Sequence, residues 1–369
     1  MTIRVAFDHQ AFVMQSYGGI SRYFSRLAES LSRANMVPHI HAPLHRNHYL
    51  SDMQSELKTG RYFKKFPPKT ASAIDLYSSY KLGKFIPEFK PNILHQTYYK
   101  SNRFLTADVP LVVTVYDMIH ELFASSFPPY DHTAEIKQAA IERADRIICI
   151  SKSTQRDLID IHNISESKTS VVHLASDLLT YSPIHAVVPH LGQKPFLLFV
   201  GQRGGYKNFK NFISAVALSN NLKRDFNIVC FGGGDFTQVE KNLITLEGFD
   251  PDQVKHISGS DDTLCALYSS ARAFVFPSKY EGFGLPILEA MSFGCPVLCS
   301  NTSSLPEVGG EAAKYFDPND LDEIVSVIQN CVYSDSETST LRKLGHKNCD
   351  LFTWDLCAEK TIDIYTNCI

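Results

Sequence analysis

Residues 278–291 read SKYEGFGLPILEAM, a glycine-containing loop that leads into a helix-forming run. Proline is favoured at the first helical position, so the helix is predicted to begin at Pro286. The start of a helix presents unpaired N–H groups to an anion. Glu281 lies in the loop, and Glu289 lies one turn into the helix. A ligand that carries a phosphate and several hydroxyl groups, such as a sugar nucleotide, therefore fits this stretch.

The rest of the chain alternates short β-branched runs with helix-patterned segments. This alternation predicts an α/β fold of parallel sheets with helices on both faces, in which ligands bind beyond the carboxyl ends of the strands. The pattern weakens over residues 181–192, where prolines and a glycine indicate a linker. We therefore expect two doubly wound, Rossmann-like domains, residues 1–182 and 195–353, that face a cleft between them.

The predicted elements follow from hydrophobic periodicity. Strands are predicted at residues 3–7, 37–41, 111–115, 146–150, 170–173, 196–200, 227–231, 273–277 and 296–300. Helices are predicted at residues 21–33, 133–144, 154–161, 208–219, 262–271, 286–293 and 354–365. The C-terminal helical segment, residues 354–369, is free to pack back on the first domain.

Length and composition are those of a globular protein with two cores, because 369 residues exceed what one core usually organises. We expect no signal peptide and no membrane span. The nine cysteines show no Cys-x-x-Cys spacing, so reduced, buried thiols are expected rather than disulfides or zinc ligands. The expected location is the cytoplasm, with the inner face of the membrane as an option.

Charge is unevenly distributed along the chain. Residues 1–110 hold 15 Lys and Arg against 7 Asp and Glu, whereas the chain as a whole holds 36 against 39. The basic part indicates either an anionic partner, such as a phosphorylated acceptor or a lipid headgroup surface, or a solvated basic face. Residues 62–69, YFKKFPPK, are the sharpest candidate for a water–lipid interface, although a mobile loop is favoured there. A nucleic-acid partner is not expected.

A second glycine loop follows the strand predicted at residues 196–200 and contains Gly201, Arg203 and Lys207. Glycines allow a sharp turn, and two fixed cations are what a diphosphate needs. The loop lacks the Gly-Lys-Ser/Thr ending of a Walker motif. The triple glycine at residues 232–234 lacks the spacing of a dinucleotide fingerprint. The sequence therefore argues against nucleotide hydrolysis and hydride transfer as the function.

Two weaker signals lie in the first domain. Gly18 and Gly19 form a turn that opens a helix, with Ser21 as the expected cap. Asp117 and His120 follow the strand predicted at residues 111–115, and the end of that strand is expected to face the cleft. A Gly-Gly turn taken alone is more typical of a structural turn, and a lone histidine is usually structural, but the position at a strand end favours a site at Asp117 and His120.

Four histidines are grouped at residues 39, 41, 45 and 48. No acidic or cysteine ligand lies nearby in sequence, so surface or acceptor-side histidines are favoured over a metal site.

The order of these motifs resembles the retaining glycosyltransferases of the GT-B fold, family four. The resemblance rests on Gly18-Gly19, the segment 117–120, Ser151, Arg203 with Lys207, and the pair Glu281 and Glu289. Residues 290–297 (AMSFGCPV) and 301–310 (NTSSLPEVGG) are similar to members that transfer mannose-type sugars in bacterial polysaccharide assembly.

The resemblance implies a role for each matching position. Arg203 and Lys207 would hold the donor diphosphate, Glu289 the ribose hydroxyls, and Glu281 the hydroxyls of the transferred sugar. Donor contacts are further implied for Gly18, Gly19, Ser151, Gly201, Ile257 (near the base, with residues 256–259), Phe283, Gly284 and Leu285. Asp117 and His120 are implied as catalytic residues. Many relatives place a histidine where this chain has Tyr116, so either Tyr116 or His120 takes the sugar-facing role.

The implied reaction moves a hexose, mannose or mannose-like, from a nucleotide diphosphate sugar to a saccharide or lipid-linked saccharide acceptor. GDP is favoured over UDP as the nucleotide, and neither a metal nor another cofactor is implied. Peripheral contact with an anionic membrane is an option. The alternatives are a nucleotide-sugar epimerase of similar architecture and a non-catalytic protein that binds sugar nucleotides.

Overall fold

The computed structural model describes residues 2–100, 109–180 and 194–369, without the side chains of residues 179 and 180. The chain divides into two compact units, Met1–Leu174 with Trp354–Ile369, and Ala175–Thr353. The linker predicted at residues 181–192 lies outside the described residues.

The first unit contains a parallel sheet of seven strands in the order β3-β2-β1-β4-β5-β6-β7. The strands are β1 (Arg4–Phe7), β2 (Val37–His45), β3 (Lys58–Tyr62), β4 (Ile93–Gln96), β5 (Leu111–Val115), β6 (Arg146–Cys149) and β7 (Thr169–Val171). The helices are α1 (Gln10–Met14), α2 (Gly19–Arg33), α3 (His48–Asp52), α4 (Ala71–Phe89), α5 (Ile119–Leu122), α6 (Thr133–Arg143) and α7 (Lys152–His162).

The second unit contains a parallel sheet of six strands in the order β10-β9-β8-β11-β12-β13. The strands are β8 (Phe196–Val200), β9 (Asn227–Phe231), β10 (Val254–Ile257), β11 (Ala273–Phe276), β12 (Val297–Ser300) and β13 (Ala313–Phe316). The helices are α8 (Phe209–Leu218), α9 (Asn220–Asp225), α10 (Gln238–Leu246), α11 (Asp261–Ser270), α12 (Leu285–Ser292), α13 (Leu305–Gly309), α14 (Leu321–Val332) and α15 (Asp335–Cys349).

The last helix, α16 (Trp354–Thr366), belongs to the first unit, where it packs against α2. Tyr365 and His95 tie it to β4 through a hydrogen bond of 2.6 Å between the phenolic oxygen and Nδ1. Trp354 lies against Tyr23 of α2, with ring centroids 6.3 Å apart. The chain therefore completes its first core only with its last residues.

The α/β fold with two parallel sheets is confirmed. The central strands β8, β9, β11 and β12 are almost entirely buried, which explains why they read as continuous apolar runs. Each sheet reverses its order once, between β1 and β4 in the first unit and between β8 and β11 in the second. In sheets of this kind ligands bind outside the carboxyl ends of the strands at the reversal.

Two predicted details are wrong. Helix α12 begins at Leu285, so Pro286 takes its second position, because Gly284 adopts a left-handed conformation with φ of 111° and caps the helix. Ser21 is not the cap of α2, since Gly18 holds that position. The Ser21 hydroxyl instead donates to the Gly18 carbonyl from inside the helix.

All nine cysteines are free thiols, and eight of them are buried. Among the described residues no helix is long and apolar enough to cross a membrane.

Candidate functional site

The candidate site lies where the second sheet reverses its strand order. The chain leaves β8 into residues 201–208 and leaves β11 into residues 277–284, so the two loops start from neighbouring strands. The Lys279 amide donates to the Tyr206 carbonyl at 2.7 Å and joins the loops. Gly201 has φ of 115°, a conformation that favours glycine and lets the chain turn directly at the strand end.

Lys207 and Glu281, one from each loop, form an ion pair. Lys207 Nζ lies 2.6 Å from Glu281 Oε1, and the side chains are 19% and 11% exposed. The ammonium group also lies 5.7 Å from the centroid of the Phe276 ring. A cation and a carboxylate that are largely withdrawn from water, yet still accessible, can bind an anion and hydroxyl groups side by side.

The loop that carries Glu281 is fixed from the next strand. The Glu281 amide donates to Ser303 Oγ at 2.9 Å. The Ser304 hydroxyl lies 2.9 Å from the Glu281 carbonyl and 2.7 Å from the Phe283 carbonyl, and it is fully buried. Neither serine was assigned a role from the sequence, although both lie in the segment 301–310 that carried the resemblance.

Helix α12 starts close to this pair. A side chain at Gly284 would bring a Cβ within 3.0 Å of Leu305 Cδ2, so glycine is favoured there by space as well as by conformation. Phe283 is buried and packs edge-on against Phe352, at 5.8 Å between ring centroids. Leu285 is the first residue of the helix. The three positions named for donor contacts therefore form a rigid turn around the helix start.

Glu289 is the fifth residue of α12 and is partly buried. Its Oε1 accepts a hydrogen bond of 3.3 Å from the Ser176 hydroxyl. Burial, together with the nearby Glu289 carboxylate, raises the pKa of Tyr268 well above its ordinary value. Ser176 and Tyr268 are partners that the sequence interpretation did not find.

Arg203 is placed differently from a side chain that presents its charge to a ligand. Its Nε donates to Glu240 Oε1 at 2.8 Å, and the side chain is 2% exposed. Its Nη atoms donate to the carbonyls of Gly232 at 2.8 Å, Gly234 at 2.7 Å and Asp235 at 3.1 Å. The guanidinium thus fastens the turn after β9 to the loop after β8.

The triple glycine is what makes this contact. Residues 232, 233 and 234 all have φ between 73° and 80°, which turns successive carbonyls toward Arg203. A Cβ at Gly233 would lie 2.7 Å from the Gly201 carbonyl oxygen. The motif is therefore a close-packed support of the site.

The segment assigned to contact with the nucleobase lies at the end of strand β10. Ile257 is its last residue and pairs with Phe231 of β9. His256 Nδ1 lies 3.2 Å from Asp235 Oδ1. Its ring approaches Phe236 edge-on, with centroids 6.1 Å apart.

In the first unit, three of the predicted binding residues lie at helix starts. Gly18 caps α2, and Gly19 is its first residue. Ser151 caps α7, where its Oγ accepts from the Thr154 amide at 3.0 Å and the side chain is buried. The Ser151 hydroxyl is thus already hydrogen-bonded as the cap of α7.

Asp117 and His120 lie just beyond the end of β5, as predicted. Asp117 Oδ1 accepts from the Ile119 amide at 3.0 Å. His120 stacks on Phe127 with centroids 4.1 Å apart, and its side chain is 22% exposed. Tyr116 is buried, and its hydroxyl donates to the Thr97 carbonyl at 3.0 Å. Of the two candidates for a sugar-facing role, His120 has the more accessible side chain.

A buried lysine supports this segment and was missed in the sequence. Lys137 Nζ donates to the Asp117 carbonyl and to Glu121 Oε2, both at 2.8 Å, with the side chain 1% exposed. The second oxygen of Glu121 lies 3.6 Å from His162 Nε2. These partners come from α5, α6 and α7, and sequence spacing alone does not bring them together.

Asp8 is a second missed residue, directly after β1 at the reversal of the first sheet. Its Oδ1 accepts from the Thr97 amide at 3.0 Å and from the Gln10 amide at 3.4 Å. Burial raises the pKa of its carboxyl above the ordinary value. The signal that could have found it is its position at a strand end.

The grouped histidines do not form a metal site. Within the described ranges no group of three or more His, Cys, Asp or Glu side chains is arranged to hold a metal ion. His41 and His45 are buried, contrary to the expectation of surface histidines, and burial lowers the pKa of each to about 4. His41 stacks on Phe85 of α4 with centroids 4.3 Å apart.

Comparison with known proteins gives two family matches. The family described as Glycosyltransferase Family 4 matches residues 17–178, and the one described as Glycosyl transferases group 1 matches residues 182–346. The chain is 30% identical over 285 residues to the O-antigen chain mannosyltransferase B of Escherichia coli, with 73% of each protein covered. It is 31% identical over 243 residues to the serotype-specific mannosyltransferase WbdA of Escherichia coli, which covers 62% of this chain and 30% of WbdA.

A solved structure gives the same fold. Anabaena Alr3699/HepE in complex with UDP-glucose matches with a TM-score of 0.73 over 100% of both chains, at 15% identity. Together with the two family matches and the mannosyltransferase relatives, this places the two sheets in a known architecture. The chain belongs to glycosyltransferase family four and has the GT-B fold.

Proposed function

We propose that this glycosyltransferase moves mannose or a mannose-like hexose from a GDP-linked donor to a saccharide or lipid-linked saccharide acceptor, with retention of configuration. The product would belong to polysaccharide or lipopolysaccharide synthesis. The observation that carries the proposal is the pair of Lys207 and Glu281 at the reversal of the second sheet, beside the start of α12. Mannosyltransferase relatives support the choice of sugar.

In this proposal Lys207 acts on the leaving diphosphate. Cleavage of the bond between the anomeric carbon and the diphosphate places negative charge on the leaving group and positive charge on the sugar. A fixed ammonium group binds that charge more strongly in the transition state than in the ground state, and so lowers the barrier. The start of α12, around Gly284 and Leu285, adds the positive end of a helix.

Arg203 has a supporting part. Its guanidinium holds the turn after β9 against the loop that carries Lys207, and so fixes the position of that loop. Gly201 lets that loop turn at the strand end. Arg203 therefore keeps its place in the donor site mainly as a positioning residue.

The carboxylates bind hydroxyl groups. Glu281 is assigned to the transferred sugar, and Glu289 to the ribose. The backbone at Phe283 contacts phosphate and sugar, and Ile257 lies near the base. Glu281 and Lys207 are paired with each other in the free protein. A bound donor would contact both side chains at once.

The first unit is assigned to the acceptor and to the sugar-facing side of the donor. His120 and Asp117 are the proposed catalytic residues there, and Gly18, Gly19 and Ser151 lie at helix starts that could meet an anion. The diphosphate oxygen itself helps to deprotonate the acceptor, which attacks on the face that the leaving group vacates. The proposed location is the cytoplasm, at the inner face of the membrane.

The proposal is tested with the purified protein and three nucleotides. A ligand that binds only the folded state raises the midpoint of unfolding, and GDP is expected to raise it more than UDP or ADP. Incubation with GDP-mannose and an acceptor should then give a product whose new linkage, by NMR, has the anomeric configuration of the donor. An inverted linkage would overturn retention, and a preference for UDP would overturn the choice of donor.

The same incubation without acceptor separates the alternatives. A nucleotide-sugar epimerase would convert the donor sugar with no acceptor present. A non-catalytic protein would show the midpoint shift and give no product even with the acceptor present. Either result contradicts the proposed transfer.

A further inference from the structure

Four aromatic side chains meet at the carboxyl edge of the first sheet. Tyr17 lies between α1 and α2, His48 and Tyr49 begin α3 directly after β2, and Tyr62 ends β3. The rings of Tyr17 and His48 are stacked, with centroids 4.3 Å apart and an angle of 7° between their planes. Tyr49 meets Tyr17 edge-on at 5.6 Å, and Tyr62 lies 5.3 Å from His48. We call these four side chains the aromatic platform.

The backbone under the platform is joined at several points. The His48 amide donates to the Ser16 carbonyl at 3.0 Å, and Arg46 Nη2 donates to Ser16 Oγ at 2.9 Å. The Asn47 side chain is fully buried and donates to the Gln15 carbonyl at 2.8 Å. The segment before α2 and the segment before α3 are therefore fastened together, which orders the stacked rings before a ligand arrives.

One ring of the platform is exposed, and the others are fixed through their polar ends. Arg22 donates to the Tyr49 hydroxyl from Nε at 3.0 Å and from Nη2 at 2.8 Å. The Tyr62 hydroxyl lies 3.2 Å from His48 Nε2. Tyr17 is 63% exposed although it is stacked on His48, so most of its ring surface faces solvent. An exposed ring beside fixed polar groups can bind a small ligand that has an apolar face and a polar rim.

We propose that the aromatic platform is a saccharide subsite, which holds sugar units of the acceptor that precede the reacting unit. The C–H groups on one face of a pyranose can pack on the Tyr17 ring, while the hydroxyl groups at its rim bond to polar side chains. Arg46 is half-buried beside the platform and bonds to Ser16 through Nε and Nη2. A guanidinium carries five N–H donors, so Arg46 can serve such hydroxyl groups as well.

The place of the platform in the sheet indicates which sugar it holds. The proposed catalytic residues Asp117 and His120 follow β5, whereas the platform lies at the ends of β2 and β3. In the strand order, β2 and β5 are three strand spacings apart, or about 14 Å. One sugar ring does not span that distance, so the platform would contact a unit further along the acceptor. The inference rests on the proposed transfer reaction and adds that the acceptor is an oligosaccharide.

Two other occupants are less favoured by the position and chemistry of the platform. A nucleobase could also stack on Tyr17, but the donor is assigned to the strand ends of the second unit. A protein partner would need a pocket for its apolar anchors. The rings of the platform instead carry hydroxyl and imidazole groups, which suit a ligand rich in hydroxyl groups. Both alternatives are outcomes of the test.

Saccharide binding is measured by isothermal titration calorimetry on the full chain, without donor and without turnover. The probes are mannotriose, maltotriose and cellotriose, each compared with its monosaccharide. At least one trisaccharide is expected to bind more tightly than its monosaccharide. Tyr17→Ala should weaken that binding at least about threefold, which is the loss expected for one aromatic contact. Tyr17→Phe keeps the ring and should bind nearly like the wild type.

The matched control is Tyr80→Ala on α4, because Tyr80 is 59% exposed and lies outside the platform. It should bind the trisaccharide like the wild type. GDP should raise the midpoint of unfolding equally in Tyr17→Ala, Tyr80→Ala and the wild type. In transfer assays Tyr17→Ala should raise KM for the trisaccharide acceptor and leave kcat unchanged.

Several results would overturn the subsite. They are the absence of tighter trisaccharide binding by the wild type, and equal trisaccharide binding by Tyr17→Ala. A GDP-induced shift that is lost in Tyr17→Ala would mean that the ring contacts the nucleobase. A wild-type dimer that Tyr17→Ala dissociates would mean that the platform joins two copies of this chain. Trisaccharide binding that depends on Tyr17, in a protein that transfers no sugar, would instead support the platform and contradict only the proposed function.

Discussion

Lys207 Nζ and Glu281 Oε1 lie 2.6 Å apart, although 74 residues of chain separate them. The two residues leave neighbouring parallel strands at the point where the sheet reverses its order, so the topology of the second unit brings them together. Each is held by its own loop, and the loops are joined through Lys279 and Tyr206. A charged pair fixed in this way needs little rearrangement when a charged ligand enters, which is the condition for strong electrostatic catalysis.

Replacing either member of this pair should abolish most activity and leave the fold intact. Lys207→Ala and Glu281→Ala are each expected to lower turnover at least about 100-fold, since a preorganised group at developing charge is worth that much. Both variants should remain folded at the assay temperature, although the midpoint of unfolding should fall, because each substitution leaves a largely buried charge without its partner. Steady-state transfer assays and thermal unfolding measure the two effects.

Lys210→Ala is the matched control, because Lys210 is an exposed lysine three residues further along the same segment. It should keep wild-type turnover. Wild-type activity in both Lys207→Ala and Glu281→Ala would rule out the proposed donor site.

Arg203 is expected to affect activity indirectly, by holding the turn after β9 in place. Arg203→Lys loses the forked contacts to Gly232 and Gly234, and is expected to destabilise the second unit by about 1–3 kcal/mol because hydrogen bonds from a buried, charged guanidinium are lost. Glu240→Gln, which weakens the same network, should lower kcat/KM in the same direction. The double variant should lose less than the sum of the two, since coupled residues are not additive.

Lys241→Ala, next to Glu240 and exposed, serves as the control for this cycle and should behave like the wild type. A different pattern is expected if Arg203 contacts the diphosphate directly. In that case Arg203→Lys would weaken GDP binding with no change in stability, and Glu240→Gln would have no effect on kcat/KM.

Chelation should leave the reaction unchanged. In the proposed mechanism Lys207 and the start of α12 carry the charge of the leaving diphosphate, so no divalent cation is needed for that step. Transfer rates with and without EDTA should agree within about twofold. A loss of turnover that Mg²⁺ restores would contradict this part of the mechanism.

The elements predicted correctly from the sequence are those with uninterrupted residue patterns. Strands β8 and β9 were located to the residue because their apolar runs are uninterrupted, and Glu281 and Glu289 were placed on the loop and the helix by the spacing around Pro286. Strand β4 was missed, since its four buried residues include His95 and Gln96. The burial of polar groups there depends on distant partners.

The contacts of Arg203 could not be read from spacing either. An arginine near a lysine after a strand suggests two cations for one ligand. The three positive-φ glycines at residues 232–234 instead direct their carbonyls toward the guanidinium, and Glu240 completes the contact from the next helix. Both partners lie some 30 to 37 residues further along the chain. Only the fold shows that they meet.

Stability should fall as the pH drops from 7 to 5. Burial lowers the pKa of His41 and His45 to about 4 and that of His95 to about 3, below the value of about 6.5 expected in the unfolded chain. Between pH 6.5 and 4 the unfolded state therefore binds more protons, so the free energy of unfolding rises with pH. Asp8, whose pKa is raised, acts in the opposite direction, and His39, whose pKa is lowered by burial, acts in the same direction as the other three histidines.

Unfolding by urea at pH 7 and pH 5 measures the effect. His41→Asn should reduce the difference in the free energy of unfolding between the two pH values, whatever its effect at pH 7. His132→Asn, whose side chain is 67% exposed in the wild type, should leave that difference unchanged. A pH dependence equal to the wild type in His41→Asn would show that this imidazole does not stay neutral in the fold.

The C-terminal helix should stabilise the first unit through one buried contact in particular. Tyr365 and His95 are fully buried, and Nε2 of the same imidazole bonds to Thr114 Oγ1 at 2.8 Å. A neutral imidazole has one donor and one acceptor, and the two hydroxyls satisfy both. Tyr365→Phe leaves Nδ1 unpaired and should lower the free energy of unfolding by about 1–3 kcal/mol.

Hydrogen exchange locates the effect. In Tyr365→Phe, amides of β4 and α2 should exchange faster, because α16 packs on α2 and bonds to β4, while amides of β8 to β13 should be unaffected. Tyr333→Phe is the control, since its hydroxyl donates to Asp225 at the surface of the second unit. Uniform exchange changes across both sheets would mean that the last helix stabilises the whole chain and not the first core.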